Sequence, residues 1–367
     1  MNNKKLSLLI FLLLYSCSLF AQTADKYRIA VVDSYHESYR WSIGTQDGFA
    51  NGLLDFGFLD NREQIKFFNE NHHVESSRAV ITRYWMDSKH KNSQVEIAEI
   101  LASISASLEK FQPDIIFLGD DNASNYFGNA YLDTETPVVF WGINASPLKY
   151  GLLDSVEQPG HNVTGIYQKS YHKEGIEHLL KLVPGIRRIA LISDDSPTGR
   201  SHSKSFHTSI REGLIDIEAV KIVRTNSYSN WQKEILELST KVDAFLISTH
   251  ATMKDDSGNT VSTEDAARWY LENVSLPEAV TSIVFVKEGM LSAINDSPFK
   301  QGYEAVRLGN EILVNGKDPA TLAAYAPEHG GFMVNSWRAE KLGLTDRVKE
   351  NLHIIKELVD VNVVEQP

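Results

Sequence analysis

Tyr27-Arg28-Ile29-Ala30-Val31-Val32-Asp33-Ser34-Tyr35-His36 opens the folded part of the chain, and the class of fold follows from it. Ile29 to Val32 is an unbroken apolar run, the pattern of a strand buried on both faces. Polar and aromatic residues follow at once. Ser42 to Phe56 then carries Ile43, Phe49, Ala50, Leu53 and Leu54 at helical spacing, ending before Gly57. A buried strand, a loop rich in side-chain chemistry and an amphipathic helix make the first half of a βαβ unit.

The alternation continues outward. Arg78–Met86 reads as a strand, Gln94–Lys110 as a helix, Asp114–Leu118 as a strand, Ala123–Leu132 as a helix and Pro137–Trp141 as a strand. This order predicts a parallel, doubly wound sheet. Asp60–Ser77 fits no element and reads as an insertion or long loop. Ser146–Gly160 holds Pro147, Gly151, Pro159 and Gly160 without a period, and reads as a first crossing to a second lobe. The pattern then restarts. Strands are expected at Arg188–Ser193, Glu218–Arg224, Asp243–Ser248 and Ser282–Val286. Helices are expected at Gly199–Gly213, Trp231–Thr240 and Thr263–Asn273. A strand at Met290–Ile294 leads into a helix from Phe299 to Val314. The fold class expected is α/β, with two doubly wound parallel-sheet lobes around a cleft. Ligands of such sheets sit at the carboxyl ends of the strands.

Composition narrows the function. Lys4 and Lys5 precede the apolar run Leu6–Tyr15, and small and polar residues lead to Ala21-Gln22. This is the layout of a secretory signal, too short to span a bilayer. Residues 1–21 are therefore expected to direct export to the periplasm, with cleavage after Ala21. The alternative is a lipoprotein cut that makes Cys17 the first residue. Tyr15 and the apolar residues beyond Cys17 disfavour it. Cys17 is the single cysteine, so neither cut leaves a disulfide or a cysteine-ligated metal in the mature protein. Without Lys4 and Lys5, 34 basic residues stand against 48 acidic ones, and the formal net charge moves from −12 to −14. Nucleic-acid binders carry a basic patch, and none is visible, so no nucleic-acid partner is expected. The sequence holds no Gly-x-Ser-x-Gly elbow, His-Glu-x-x-His or calcium-loop spacing, or Gly-x-Gly-x-x-Gly. His72-His73 falls in the insertion and reads as solvated. No catalysis, cofactor or metal is expected.

Several segments carry a family likeness: Gly160-His161-Asn162-Val163-Thr164-Gly165, Leu182 to Leu191, Lys241 to Ser248, Gly302 to Gly309, and Ala339 to Leu344. Through them the chain resembles the ABC-transporter substrate-binding proteins of the type I periplasmic binding fold, a family that includes aromatic-amino-acid binders. Ser34-Tyr35-His36 with Trp41, Tyr84 to Lys89, Gly119 to Ala123 and Val139 to Asn144 are similar to the extracytoplasmic sensor domains of histidine kinases and diguanylate cyclases. The resemblance implies a three-crossing hinge, with lobe one at 26–146 plus 290–316 and lobe two at 147–289 plus 317–345. Residues 346–367 would form a helical tail. It also implies a monomer that captures a small polar or aromatic ligand for an ABC permease. The alternative is a ligand-sensing partner of a membrane histidine kinase or diguanylate cyclase.

The candidate ligand-binding residues follow strand ends. Ser34, Tyr35, His36 and Trp41 follow the first strand, where aromatic rings give rigid stacking area. Asp120, Asp121 and Asn122 precede a helix, a position that also suits simple capping. Asn144 follows the next strand. In lobe two the candidates are Asp194, Asp195, His250 and Glu288. In amino-acid-binding relatives the loop at His250 carries an aspartate that pairs with the ligand's ammonium, so a histidine there departs from the pattern.

Overall fold

The computed structural model describes residues 25–364. The expected export signal, residues 1–21, and Cys17 lie outside the described residues. Among the described residues no helix is long and apolar enough to cross a membrane.

Lobe one is built on a six-stranded sheet. Its strands are β1 (Tyr27–Asp33), β2 (His73–Glu75), β3 (Ala79–Trp85), β4 (Ile115–Gly119), β5 (Val138–Ile143) and β6 (Val163–Tyr167). Their order is β2-β3-β1-β4-β5-β6, parallel except for the antiparallel edge strand β2. β1 lies at the centre, with Ile29 facing Ile81 on one side and Ile115 on the other. Its residues Ile29 to Val32 are buried, as their apolar run requires. Helices α1 (Arg40–Asp55), α2 (Arg62–Asn71), α3 (Gln94–Phe111) and α4 (Asp120–Ala130) belong to this lobe.

Lobe two holds β7 (Arg188–Ser193), β8 (Glu218–Arg224), β9 (Ala244–Ile247), β10 (Glu278–Val280), β11 (Ser292–Ile294), β12 (Phe332–Asn335) and β13 (Ile355–Val359). Their order is β13-β12-β11-β10-β9-β7-β8, with β11 and β12 antiparallel. The helices are α5 (His172–Leu182), α6 (Pro197–Arg211), α7 (Tyr228–Leu238), α8 (Thr263–Asn273) and the single turn α9 (Ile283–Val286). After α10 (Pro298–Leu313), which returns to lobe one, α11 (Ser336–Lys341) and α12 (Thr345–Glu350) complete the set. Arg338 and Glu278 form a buried ion pair here, Nε–Oε1 3.0 Å, with Arg338 also donating to the Val274 carbonyl. α10 packs across α1 with almost no gap. A Cβ on Gly48 would overlap the Phe299 carbonyl, and one on Gly302 would overlap the Thr45 carbonyl.

Several boundaries differ from the sequence reading. Asp60–Ser77 is α2 plus β2, not an irregular insertion. Asn61 caps α2, but Phe68 is its single buried residue, so its apolar period is faint. Ser282–Val286 is not a strand. Ser282 caps the turn α9, and the strand lies just upstream at β10. All four α9 residues are buried, so periodicity had nothing to report. Ser146–Gly160 stays within lobe one, because β6 pairs with β5 beyond it. The three crossings instead run through residues 168–171, 295–297 and 326–331. Of 290–316 only α10 joins lobe one, since β11 pairs inside the second sheet. Tyr325 bridges to Ile166 in lobe one before the last crossing. The expected helical tail contains β13, which pairs in parallel with β12 through Phe332 and Ile355.

The crossings are laced together. Gln168 Nε2 donates to Asp296 Oδ2 at 3.1 Å, joining the first to the second. Asn295 N donates to the Gly331 carbonyl and Gly330 N to the Asn295 carbonyl, joining the second to the third.

Candidate functional site

The two lobes meet across the carboxyl ends of their parallel strands and are closed on each other. Ser201 Oγ donates to the Asn144 carbonyl at 2.6 Å, Lys254 Nζ to the His90 carbonyl at 3.3 Å, and the Tyr35 and Thr198 hydroxyls lie 3.4 Å apart. Between them is a cavity lined by side chains of both lobes, the placement expected of a small-molecule site.

Lobe one supplies three of its aromatic rings, Tyr35, Tyr39 and Trp41. β1 ends at Asp33, and the chain turns through Ser34 into a short loop before α1. Tyr35 and Tyr39 pack edge to face, centroids 5.3 Å apart. Lys89, on the loop after β3, lies over both, its Nζ 4.5 Å from the Tyr35 centroid and 5.5 Å from that of Tyr39. Trp41 donates from Nε1 to Asp120 Oδ1 at 2.9 Å. Asp120 has φ +67°, a left-handed conformation uncommon for a non-glycine residue. Facing it, Gly142 has φ +70° and no Cβ, where a side chain would press on the Asp120 carboxylate.

The charges are strongly perturbed. Burial, with the charges of Asp33 and Asp121, holds the Asp120 carboxyl well above the usual carboxylate range. Burial lowers Lys89, against the pull of Asp194, Asp120 and Asp121. At the hinge end of the cavity, burial pushes Asp296 up to about 6. From lobe two come Phe285, Val284, Thr249, Thr281, Ser282, Thr198 and His202. Burial brings His202 down to about 4, and its Nδ1 meets Ser248 Oγ at 2.8 Å, so it serves as a neutral polar group. A more polar cavity adjoins, sharing Tyr35, Lys89 and Thr198 as walls.

The residues singled out from sequence divide into three groups. Tyr35, Trp41, Asp120 and Asn144 line the first cavity. Asp121, Asn122 and Asp195 line the second. The rest are elsewhere. Ser34 is fully buried, donating to the Gly119 carbonyl and accepting from Ala123 N, so it pins β4 to α4. Asp194 accepts from Ser196 N, Thr249 Oγ1, Ala251 N and Thr252 N, which closes its own loops. His250 and Glu288 pair at 2.9 Å, both buried. The His250 ring rests against Phe285, centroids 4.9 Å apart, behind the cavity wall. His36 sits on the rim, stacked on His90. Sequence reasoning missed Lys89, Gln168 and Asp296. Lys89 carried a signal, because it follows a strand end as Tyr35 does. Gln168 and Asp296 carried none, because they lie in crossings placed elsewhere.

Residues 82–356 match the family described as ABC transporter substrate binding protein. The chain belongs to that family. Its members bind substrate and do not transform it, so this substrate-binding protein is not an enzyme. It is 21% identical over 311 residues to the tyrosine-binding protein of Clostridioides difficile, covering 84% of this chain and 79% of that one. A conserved domain protein from Vibrio cholerae superposes with a TM-score of 0.70 at 15% identity, over 91% of this chain and 100% of the other. The ABC domain from Streptococcus pneumonia, solved in complex with L-Trp, gives 0.68 at 18% identity, with the same coverage. The two lobes are thus the fold of type I periplasmic binding proteins.

Proposed function

We propose that this substrate-binding protein is exported to the periplasm and there captures a small aromatic ligand carrying an ammonium group, for delivery to an ABC permease. The observation that carries this reading is the makeup of the closed cavity. Tyr35, Tyr39 and Trp41 of lobe one face Phe285 of lobe two, and Asp120, Asp296 and Lys89 stand among them. Flat apolar walls select a ring. A cation entering beside Asp120 and Asp296 returns both buried carboxyls to their charged form, which repays part of the cost of burying it. Lys89 offers a place for a carboxylate. The tyrosine-binding and L-Trp-bound relatives support the same ligand class. His250 is not an obstacle to an amino-acid ligand, because its ring lies behind the wall.

Calorimetric titration with aromatic amino acids, aromatic amines, polyamines and sugars tests the reading. A ligand with both ring and ammonium is expected to bind. Binding confined to sugars or linear polyamines would overturn it. Intact mass of the periplasmic protein tests export, the expected first residue being Gln22.

A further inference from the structure

The loops that carry Tyr35 and Lys89 into the cleft carry a second pair of side chains on its rim. The next residues along, His36 and His90, stack with centroids 4.3 Å apart and planes 20° from parallel. Asp87 completes the group. One donor atom from each of these three side chains lies within 4.8 Å of the others. His36 and Asp87 are half-buried and His90 is exposed.

We propose that His36, Asp87 and His90 form a binding site for a zinc-class divalent metal ion on the cleft rim. Two imidazoles and a carboxylate are the donor set that zinc and its neighbours take, whereas calcium and magnesium prefer oxygen alone. Zinc–nitrogen bonds of about 2.0–2.1 Å require donor atoms somewhat closer than the present spread. Side-chain rotation at the exposed rim supplies that contraction. The backbone need not move, because it is already fixed. Asp87 N donates to the Tyr35 carbonyl, Ser88 N to the Ser34 carbonyl and His90 N to the Asp87 carbonyl. Asp87 itself sits at φ +54°, a strained conformation held in place by these bonds.

The ligands' present partners are ones an ion can displace. His90 Nδ1 lies 2.8 Å from Asp87 Oδ1, yet that oxygen accepts no hydrogen bond, so it is open to an ion. Lys91 lies 3.8 Å from Asp87 Oδ2 in a solvent-exposed pair of little strength. His36 Nδ1 meets Ser38 Oγ, so that ring offers Nε2. Three protein ligands leave a coordination position open to solvent. The second histidine–carboxylate pair nearby, His72 with Glu37 at 2.8 Å, has no third ligand among the described residues and serves as a control.

The test uses the full, tag-free chain stripped with a chelator. Zinc ion is titrated calorimetrically, with circular dichroism to verify that each variant is folded. One ion per chain is expected. His36→Gln and His90→Asn should each weaken it at least tenfold, and the double variant should abolish it. Asp87→Asn should weaken it several-fold, and His72→Gln should leave it unchanged. Absence of zinc binding in the wild type overturns the proposal. So does binding that survives the double variant or is lost in His72→Gln.

Discussion

The loops after β1 and β7 occupy the same place in their two lobes, yet they use their residues in opposite ways. After β1, Tyr35, Tyr39 and Trp41 turn toward the cavity. After β7, Asp194 spends its carboxylate on four donors of its own lobe, and Thr198 and His202, further along on α6, reach the cavity. Burial alone would raise Asp194. Lys89 and those hydrogen bonds bring it below the usual range instead. Asp120, in the matching half, stays raised because burial, with the charges of Asp33 and Asp121, outweighs the pull of Lys89 and the Trp41 hydrogen bond. Lobe one turns one carboxylate, Asp120, toward the cavity with a single side-chain donor, Trp41. Lobe two uses the same residue type to hold loops still.

This contrast can be broken by experiment. The largest expected effect is on lobe-two stability. Arg338→Ala leaves Glu278 buried and unpaired, which costs about 3–5 kcal/mol, and denaturant unfolding of the ligand-free protein would read it. Trp41→Ala comes next. It removes a cavity wall and the Asp120 partner, so affinity should fall about tenfold to a hundredfold by calorimetry. If Trp41→Ala binds like wild type, lobe one is not the recognising half.

The third effect is pH-dependent. The folded Asp296 carboxyl keeps its proton up to about 6, while an aspartate in the unfolded chain loses it near its ordinary value of 3.8. Between those values the folded state holds more protons, so this group favours folding most below pH 4 and its contribution is lost as pH rises to 6. Asp296→Asn should remove that loss, worth about 1–3 kcal/mol, when ligand-free melting is compared across pH 4.5–7. Asp33, also raised to about 6 by burial against the pull of Arg83, will keep part of the slope in the variant. The smallest effect concerns His250. His250→Gln should change affinity less than about threefold, a difference under 1 kcal/mol, while lowering the melting temperature. A large loss of affinity would return His250 to the cleft wall.

The sequence disclosed the architecture better than the site. Buried strands and their loops were legible because Ile29–Val32 and its counterparts are short apolar runs bounded by polar residues. From those loops came Tyr35, Trp41, Asp120 and Asn144. What stayed hidden depends on which way a loop side chain turns. Ser34 and Tyr35 are adjacent, yet one is pinned under a helix terminus and the other faces the cavity. His250 follows a strand end as the rule requires, but Trp231 and Phe285 draw its ring inward. Asp296 sits in a crossing whose position follows from how β11 pairs, a long-range fact with no local mark.

The lacing of the crossings has a mechanical consequence. Three separate cords between two bodies would let them twist, slide and rock. Here Asn295 and Asp296 in the middle cord are bonded to Gln168 on one side and to Gly330 and Gly331 on the other. Cords stitched edge to edge behave as a strap, which bends easily across its flat face and resists sliding and bending in its own plane. The jaws therefore swing in one plane. Each time they shut, Thr198 and Phe285 return to the same place over the same rings.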